Sequence, residues 1–153
     1  LADFETGMDR NLWPALRASK AALPALEQSR GVIVHVGSIW GLEAGGLVAY
    51  NVAKAAVVSL TKAMGRELAP KGIRVNAIAP GAVATPMTAM LRTPEGEAAI
   101  QSMMKSHPSP TRRFFMEPSE ISRLALFLAS DASSALHGAV LVADQGLSAT
   151  LPA

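Results

Sequence analysis

Cysteine is absent from the 153-residue sequence, and aromatic residues make up only 5% of it. Without cysteine the chain has no disulfide, no thiol nucleophile and no thiolate metal ligand. With so few aromatic rings, the core must be built from Ala, Val, Leu and Ile. Apolar runs are also far shorter than the roughly 20 residues that a membrane span needs, so the sequence predicts no transmembrane helix.

Charge is modest as well, since 17% of the residues are charged and the formal net charge is +2. Such a small net charge does not favour nucleic-acid binding, and a hydrophobic content of 50% excludes a disordered chain. The histidines, His35, His107 and His137, lack metal-ligand spacing, so no metal site is predicted. A chain of this length is expected to form one domain and to bury about 70% of its unfolded surface.

Three short runs rich in branched aliphatic residues predict β-strands at residues 32–36, 73–79 and 139–143. Their apolar residues are nearly continuous, which is typical of strands buried on both faces of a parallel sheet. Helical segments separate the strands. This alternation favours an α/β fold with right-handed crossovers.

Helical periodicity covers residues 1–30, residues 47–69 and a segment that begins at Pro118. Pro14 and Pro24 lie inside the first segment. Because proline lacks the backbone N–H and clashes with the preceding turn, each of them predicts a kink or a break.

Residues 82–116 have no strong strand pattern, and two short helices are predicted within them at 86–92 and 95–105. A long irregular insertion in a compact domain is usually functional. We therefore expect this segment to form a variable substrate loop. Its methionines could form an adaptable apolar lid or belong to the core; they are Met87, Met90, Met103 and Met104.

Ser38, Tyr50 and Lys54 are the residues whose spacing points to chemistry. Tyr50 and Lys54 are four residues apart near the start of a predicted helix, so their side chains share one face. Ser38 follows the first strand at its carboxyl end, where open α/β sheets bind ligands. A free phenol titrates near pH 10, but a nearby ammonium stabilises the phenolate, and this makes proton exchange with an alcohol or ketone practicable. Taken alone, a Tyr-x-x-x-Lys pair is more often a surface pair, and its place after a buried strand favours the chemical interpretation.

An ordered set of short motifs surrounds these residues. The motifs are Asn11-Leu12, Val36-Gly37-Ser38, Tyr50-Asn51-Val52-Ala53-Lys54, Arg66-Glu67-Leu68-Ala69, Gly72-Ile73-Arg74-Val75-Asn76, Pro80-Gly81-Ala82-Val83-Ala84-Thr85, Pro118-Ser119-Glu120-Ile121, Phe127-Leu128-Ala129-Ser130-Asp131, Gly138 and Asp144. In order and spacing they resemble the short-chain dehydrogenase/reductase family across essentially the whole chain. One such motif would be a weak signal, whereas the ordered set is specific.

The resemblance implies that residues 1–153 are the catalytic, C-terminal part of a doubly wound parallel sheet of the Rossmann type, with three strands and flanking helices. It implies that Tyr50 is the general acid/base and that Ser38 orients the substrate oxygen. Lys54 resembles the lysine that activates the tyrosine and binds the nicotinamide ribose. Asn11 matches the helix asparagine that anchors a water in the family's proton relay.

The same resemblance implies NAD or NADP as the cofactor and a small secondary alcohol or ketone as the substrate. Four residues after the second strand match the loop that meets the nicotinamide end, and they join Tyr50 and Lys54 as expected cofactor contacts: Pro80, Gly81, Val83 and Thr85.

Two features depart from the family pattern. The glycine-rich phosphate loop and the residue that selects NAD or NADP, which belong to the first half of a Rossmann fold, have no counterpart in the sequence. This predicts that three βαβ-type units, about 90 to 100 residues, precede Leu1. Asp144-Gln145-Gly146 also stands where the family has Asp-Gly-Gly.

The resemblance further implies a cytoplasmic homo-oligomer that assembles through the helices at 3–28 and 47–69, with no nucleic-acid or membrane partner. The apolar residues expected in that interface include Leu12, Leu16, Val57 and Leu60. Two functions stay open on the sequence alone. One is the catalytic half of an NAD(P)-dependent oxidoreductase, and the other is a non-catalytic remnant that acts as an assembly partner.

Overall fold

The computed structural model describes residues 4–106 and 109–150. Within them, strands and α-helices alternate as predicted, with short 3-10 helices at several junctions. The strands are β1 (Val32–Val36), β2 (Arg74–Pro80) and β3 (Val140–Ala143), and the α-helices are α1 (Phe4–Asn11), α2 (Trp13–Ser29), α3 (Val48–Leu68), α4 (Pro94–Ser106) and α5 (Pro118–Ala129). The two helices predicted within 82–116 are confirmed as the 3-10 helix Pro86–Arg92 and α4.

The strands form one parallel sheet in the order β1-β2-β3. Val32 of β1 lies opposite Arg74 of β2, and Ala77 of β2 lies opposite Val140 of β3. The central strand β2 is buried along its length after Arg74. These observations confirm the predicted α/β fold with a three-strand parallel sheet, and each strand boundary lies within one residue of its prediction.

The two prolines of the first helical segment have different effects. A break is confirmed near Pro14, because α1 ends at Asn11 and α2 starts at Trp13 with Pro14 in its first turn. Pro24, in contrast, lies inside a continuous α2, so the alternative of a break there is wrong. Leu23 and Leu26 on either side of it pack against the core and hold both halves of the helix in place.

The core lies between the sheet and the helices α2 and α3. Its main cluster consists of Ile33, Met64, Leu68, Ile73 and Val75. Of the residues predicted to lie in a subunit interface, Val57 belongs to this interior instead, whereas for the half-buried Leu60 the interface stays a prediction. Val57 is 1% exposed, and Leu60 packs against the main cluster. The prediction was wrong for Val57, because the periodicity that marks an apolar helix face does not tell which neighbour that face meets.

Arg74, the first residue of β2, joins the sheet to the end of α5. Its Nη1 donates to the carbonyl oxygens of Leu128 (3.1 Å) and Ser133 (3.3 Å) and to Ser133 Oγ (3.0 Å), and its Nη2 donates to Ser130 O (2.9 Å). The last carbonyls of a helix have no partner within the helix and carry partial negative charge. The guanidinium therefore caps α5 and fixes it to the central strand.

A buried chain of hydrogen bonds through His35 joins α2, β1 and α3. Thr61 Oγ1 donates to Val57 O (2.8 Å), so it accepts from His35 Nδ1 (2.9 Å), and His35 Nε2 then accepts from Ser19 Oγ (3.1 Å). This network holds the imidazole neutral with its proton on Nδ1. Burial lowers the pKa of His35.

This lowered pKa makes stability depend on pH. Because the unfolded chain binds a proton at His35 more readily than the folded chain does, the free energy of unfolding should be highest above the ordinary imidazole pKa of about 6.5 and should fall as the pH drops below it. His35→Gln should remove the part of this fall in the free energy of unfolding that comes from His35. Urea unfolding at a series of pH values measures it. Ser19→Ala leaves the buried imidazole in place. It should lower the free energy of unfolding at every pH but keep the same fall of that free energy at acid pH. Parallel pH profiles for His35→Gln and the unmodified protein would contradict the assignment.

His137 is the other histidine whose surroundings the structure describes. His137 Nε2 donates to Gly65 O (2.7 Å), and His107 lies outside the described residues. Within residues 4–106 and 109–150, no group of three or more His, Asp or Glu side chains is placed to hold a metal ion. No helix in this described part is long and apolar enough to cross a membrane.

Candidate active site

Ser38 is placed by the end of β1. Gly37 N–H donates to Ile78 O of the neighbouring strand (2.7 Å). The chain therefore stays paired with β2 for one residue after the end of β1 before it turns. Ser38 then caps a short 3-10 helix, Ile39–Gly41, and its Oγ accepts from the backbone N–H of Trp40 (3.2 Å). This bond uses the oxygen as an acceptor, so the Ser38 O–H is left to donate to a ligand.

A cavity of about 420 Å³ lies above the carboxyl ends of β1 and β2. Ser38 and Tyr50 both line it, so the structure brings these two predicted residues together. Apart from their hydroxyls and that of Thr88, the lining is mainly apolar. The remaining lining residues are Ile39, Trp40, Gly81, Ala82, Met87, Thr88, Leu91, Phe114 and Leu147.

Lys54 stands one turn after Tyr50 on α3, as the spacing predicts. Its Nζ lies 5.6 Å from the centroid of the Tyr50 ring and donates to Val36 O at the end of β1 (3.0 Å). Burial lowers the pKa of Lys54. The ammonium is thus held between the sheet and the tyrosine, where its remaining N–H donors are available to a ligand.

Asn11 occupies the end of α1, at the break before α2. Its Nδ2 donates to Gly7 O in the preceding turn (3.0 Å), and it is not among the residues that line the cavity. Gly7 allows α1 to approach α3 closely, since a Cβ at Gly7 would lie 2.7 Å from the Cβ of Ala49. The role of Asn11 in a proton relay stays a prediction.

The loop after β2 is fixed to β3 and to the segment after α4. Gly81 N–H donates to Ala143 O (2.9 Å), and a Cβ at Gly81 would lie only 2.8 Å from the Asp144 Cβ, so this approach requires glycine. Val83 forms an isolated parallel bridge with Met116. Of the four predicted cofactor-contacting residues at the end of β2 and in this loop, Gly81 lines the cavity. For all four, the cofactor contact stays a prediction.

The predicted substrate loop contributes several walls of the cavity. Met87 and Leu91 line it from the 3-10 helix Pro86–Arg92, and Phe114 lines it from the end of the segment. Met87 is 77% exposed, so it covers the cavity from the solvent side. Thr88 Oγ1 donates to Val83 O (2.6 Å), which ties this cover to the loop after β2.

Trp40 is held in the cavity wall by a glycine that sequence reasoning did not single out. The backbone of Gly45 lies flat against the indole, since a Cβ at Gly45 would approach Trp40 Cζ3 to 2.3 Å. Asn51 Nδ2 donates to Glu43 O (3.0 Å) and holds the same turn against α3. The dense glycines between Gly37 and Gly46 were the available signal, because they mark close approaches of the backbone.

Phe114, Leu147 and Gln145 are further residues near the site that the sequence did not identify. Phe114 and Leu147 line the cavity although they are distant in sequence from Ser38 and Tyr50. Gln145 has a left-handed backbone (φ 59°) and accepts hydrogen bonds from Ser109 Oγ (2.7 Å) and Thr111 Oγ1. Its position in place of a family glycine was the only sequence signal.

Three comparisons place this geometry among known proteins. The sequence profile of a family described as enoyl-(acyl carrier protein) reductase matches residues 1–148. The chain is 37% identical over 147 residues to a 3-oxoacyl-[acyl-carrier-protein] reductase from Thermotoga maritima, covering 95% of this chain and 57% of the relative.

Solved structures agree with this match. An oxidoreductase of the short-chain dehydrogenase/reductase family from Burkholderia thailandensis has a TM-score of 0.87 and 34% identity, over 97% of this chain and 57% of that one. A 3-oxoacyl-[acyl-carrier protein] reductase with bound NAD from Brucella melitensis has a TM-score of 0.80 and 32% identity, over 95% and 52%. The chain therefore spans 52–57% of the length of these relatives.

Proposed function

Because the chain belongs to the short-chain dehydrogenase/reductase family, we propose that it supplies the catalytic part of an NAD(P)-dependent oxidoreductase that interconverts a secondary alcohol and a ketone. The observation that carries this proposal is the shared cavity of Ser38 and Tyr50, with the Lys54 ammonium one helical turn away. The relatives extend beyond the part that this chain spans, so the proposal concerns this chain together with the nucleotide-binding half that it does not include, which is called the complete protein below.

The residues near the cavity fit the nicotinamide end of NAD or NADP. Lys54 Nζ uses one donor on Val36 O, which leaves donors for ribose hydroxyls. Gly81 brings the loop after β2 to the cavity wall, directly after Pro80 and two and four residues before Val83 and Thr85. The cofactor, when bound, supplies the hydride acceptor or donor. The relative from Brucella melitensis, which carries bound NAD, supports this assignment.

The protein's own residues would orient the substrate oxygen and transfer the proton. The Ser38 Oγ accepts from Trp40 N–H, and its O–H proton is available to donate to the substrate oxygen. We assign Tyr50 as the general acid/base that gives the proton to a ketone oxygen or takes it from an alcohol. The mainly apolar lining lowers the local dielectric constant, which strengthens the hydrogen bonds from Ser38 and Tyr50 to the substrate oxygen and the effect of the Lys54 charge.

The cavity favours an apolar small molecule as the substrate. Its volume of about 420 Å³ lies within the range typical of small-molecule sites, and the Met87, Leu91 and Phe114 side chains supply apolar contacts. The relatives from Thermotoga maritima and Brucella melitensis are 3-oxoacyl reductases, which is consistent with a ketone substrate.

A direct test is turnover by the complete protein with NADH or NADPH and a series of methyl ketones. We expect ketone-dependent loss of the reduced nicotinamide absorbance with at least one cofactor, and the reverse reaction with the matching secondary alcohols. Absence of turnover with either cofactor, in a protein that is folded by circular dichroism, would contradict the oxidoreductase and leave the assembly-partner alternative.

We also propose that the 153-residue chain on its own associates with further copies. β1 pairs on one side with β2, and beside it a groove of about 400 Å³ runs along α2, lined by small and branched residues such as Ala18, Ala22, Val34 and Val36. Val36 is 55% exposed. Unpaired strand edges and apolar grooves of this kind favour association.

Light scattering on the isolated chain should give a mass well above the 15.9 kDa of one copy. Val34→Lys should shift the chain toward the monomer, because it places a charge in the β1 groove, whereas Val142→Lys on the opposite edge strand should change the mass less. A monomeric mass together with cooperative thermal unfolding would contradict the association, and equal effects of the two substitutions would contradict its location.

A further inference from the structure

Two methionines of the predicted substrate loop are widely exposed, and one of them lines the cavity of the proposed active site. Met87 and Met90 are each 77% exposed, whereas the other methionines whose burial the structure describes are buried or half-buried. Both lie in the 3-10 helix Pro86–Arg92, where residues three apart stand on the same side. Met87 lines the cavity and Met90 does not. The two thioethers therefore have equal access to solvent and differ in their contact with the cavity.

The short helix that carries both methionines is held in place by side-chain hydrogen bonds. Thr88 Oγ1 donates to Val83 O (2.6 Å) and accepts from Thr85 N–H (3.2 Å). Arg92 Nη2 donates to Thr85 O (2.8 Å). These bonds fix the start and the end of the helix to the loop after β2, so the Met87 side chain is kept between the cavity and the solvent.

The Met87 thioether is a group that hydroperoxides oxidise to a sulfoxide. A sulfur lone pair attacks one peroxide oxygen, and the S–O bond forms as the O–O bond breaks. The proton of the transferred hydroxyl passes to the leaving oxygen, which departs as water or an alcohol. The sulfur loses two electrons and the peroxide gains them, so the hydroperoxide is the only co-reactant. Methionine sulfoxide reductases restore the thioether.

We propose that Met87 is an oxidation site at which a hydroperoxide reversibly weakens the binding of an apolar substrate. The sulfoxide oxygen loses water contacts when an apolar group fills the cavity beside it, and that group offers no hydrogen bond in exchange. A sulfoxide at Met90 stays in water and has no such effect. For its effect on turnover this inference rests on the proposed function, whereas the oxidation of Met87 and its contact with a ligand do not.

The test treats the complete protein with hydrogen peroxide and locates the sulfoxides by mass spectrometry. Trypsin leaves Met87 and Met90 in one peptide, between Arg74 and Arg92, and fragmentation of that peptide distinguishes them. Both should be oxidised at similar rates, because they are equally exposed. As Met87 is converted, kcat/KM for an apolar methyl ketone should fall about tenfold and should return after treatment with sulfoxide reductases for both epimers. Oxidation of Met90 with Met87 left intact would overturn the site.

Matched variants assign the loss to one of the two methionines. After peroxide, Met87→Leu should keep most of its own untreated kcat/KM, whereas Met90→Leu should lose as much as the unmodified protein. Without peroxide, Met87→Gln places a polar amide at the same position, so it should raise KM about tenfold with little change in kcat. Met90→Gln should not raise KM. Equal losses in the two leucine variants, or equal KM values in the two glutamine variants, would overturn the link to the cavity.

Protection by a ligand separates this inference from the proposed function. An apolar methyl ketone in the cavity contacts the Met87 side chain, so it should slow the oxidation of Met87 and leave the oxidation of Met90 unchanged. If the complete protein shows no turnover, the proposed function fails, and this protection still decides whether Met87 contacts a ligand in the cavity. Oxidation of Met87 at the same rate at every ketone concentration up to the limit of solubility would overturn the inference.

Discussion

Replacing Tyr50 with phenylalanine should lower kcat by about three orders of magnitude in the complete protein, since only the ionisable hydroxyl is lost from a group that exchanges a proton in the reaction. Cofactor affinity should change little, because the aromatic ring that packs near Lys54 stays in place. Stopped-flow turnover and a fluorescence titration with the reduced cofactor measure the two quantities. Retention of most activity by Tyr50→Phe would remove Tyr50 from the mechanism.

Substitution of Lys54 provides a comparison with Tyr50→Phe. Lys54→Met should lower both kcat and cofactor affinity, because its ammonium serves the tyrosine and the ribose. Lys62→Met, two turns further along α3 at an exposed position, should affect neither. Equal kcat and equal cofactor affinity in Lys54→Met and Lys62→Met would contradict the role given to Lys54.

Arg74→Met should lower the free energy of unfolding by about 3 kcal/mol, the second large effect that we expect. The substitution leaves the carbonyls of Leu128, Ser130 and Ser133 without the guanidinium that they share, and bonds to a charged donor are worth more than neutral ones. Urea unfolding measures this loss.

Two variants sharpen the Arg74 experiment. Arg74→Lys keeps the charge but cannot reproduce the planar set of donors, so its loss should be intermediate. Arg66→Met at an exposed position of α3 controls for the removal of one positive charge. If Arg74→Met and Arg66→Met unfold at the same urea concentration, Arg74 does not join β2 to α5 in the way described.

Much of the fold could be predicted from local pattern. Val32–Val36 is a branched aliphatic run that ends at a glycine, and the periodicity of α3 stops before Pro70 and Gly72, so strand and helix boundaries follow from short-range chemistry. The meeting of Ser38 and Tyr50 could also be predicted, because strand ends and helix starts of an α/β fold converge at one edge of the sheet.

The features of the fold and the site that could not be predicted depend on packing between segments that are distant in sequence. Nothing near Val57 distinguishes a face that meets the sheet from a face that meets another subunit. Phe114 and Leu147 reach the cavity only through the course of the chain between α4 and β3. The contacts of Gln145 with Ser109 and Thr111 depend on the same course of the chain.

The parallel pairing of the strands has a consequence for how the chain is made. No hairpin joins the described strands: α3 separates β1 from β2, and both α4 and α5 separate β2 from β3. Arg74 gains its partner almost as late, since Ser133 comes 59 residues after it. Closing such loops costs entropy before any pairing compensates for it. During synthesis β2 leaves the ribosome well before β3 does, and one edge of the central strand is uncovered in that interval. Translation speed, and not only the stability of the finished fold, therefore governs how long this chain is exposed to aggregation.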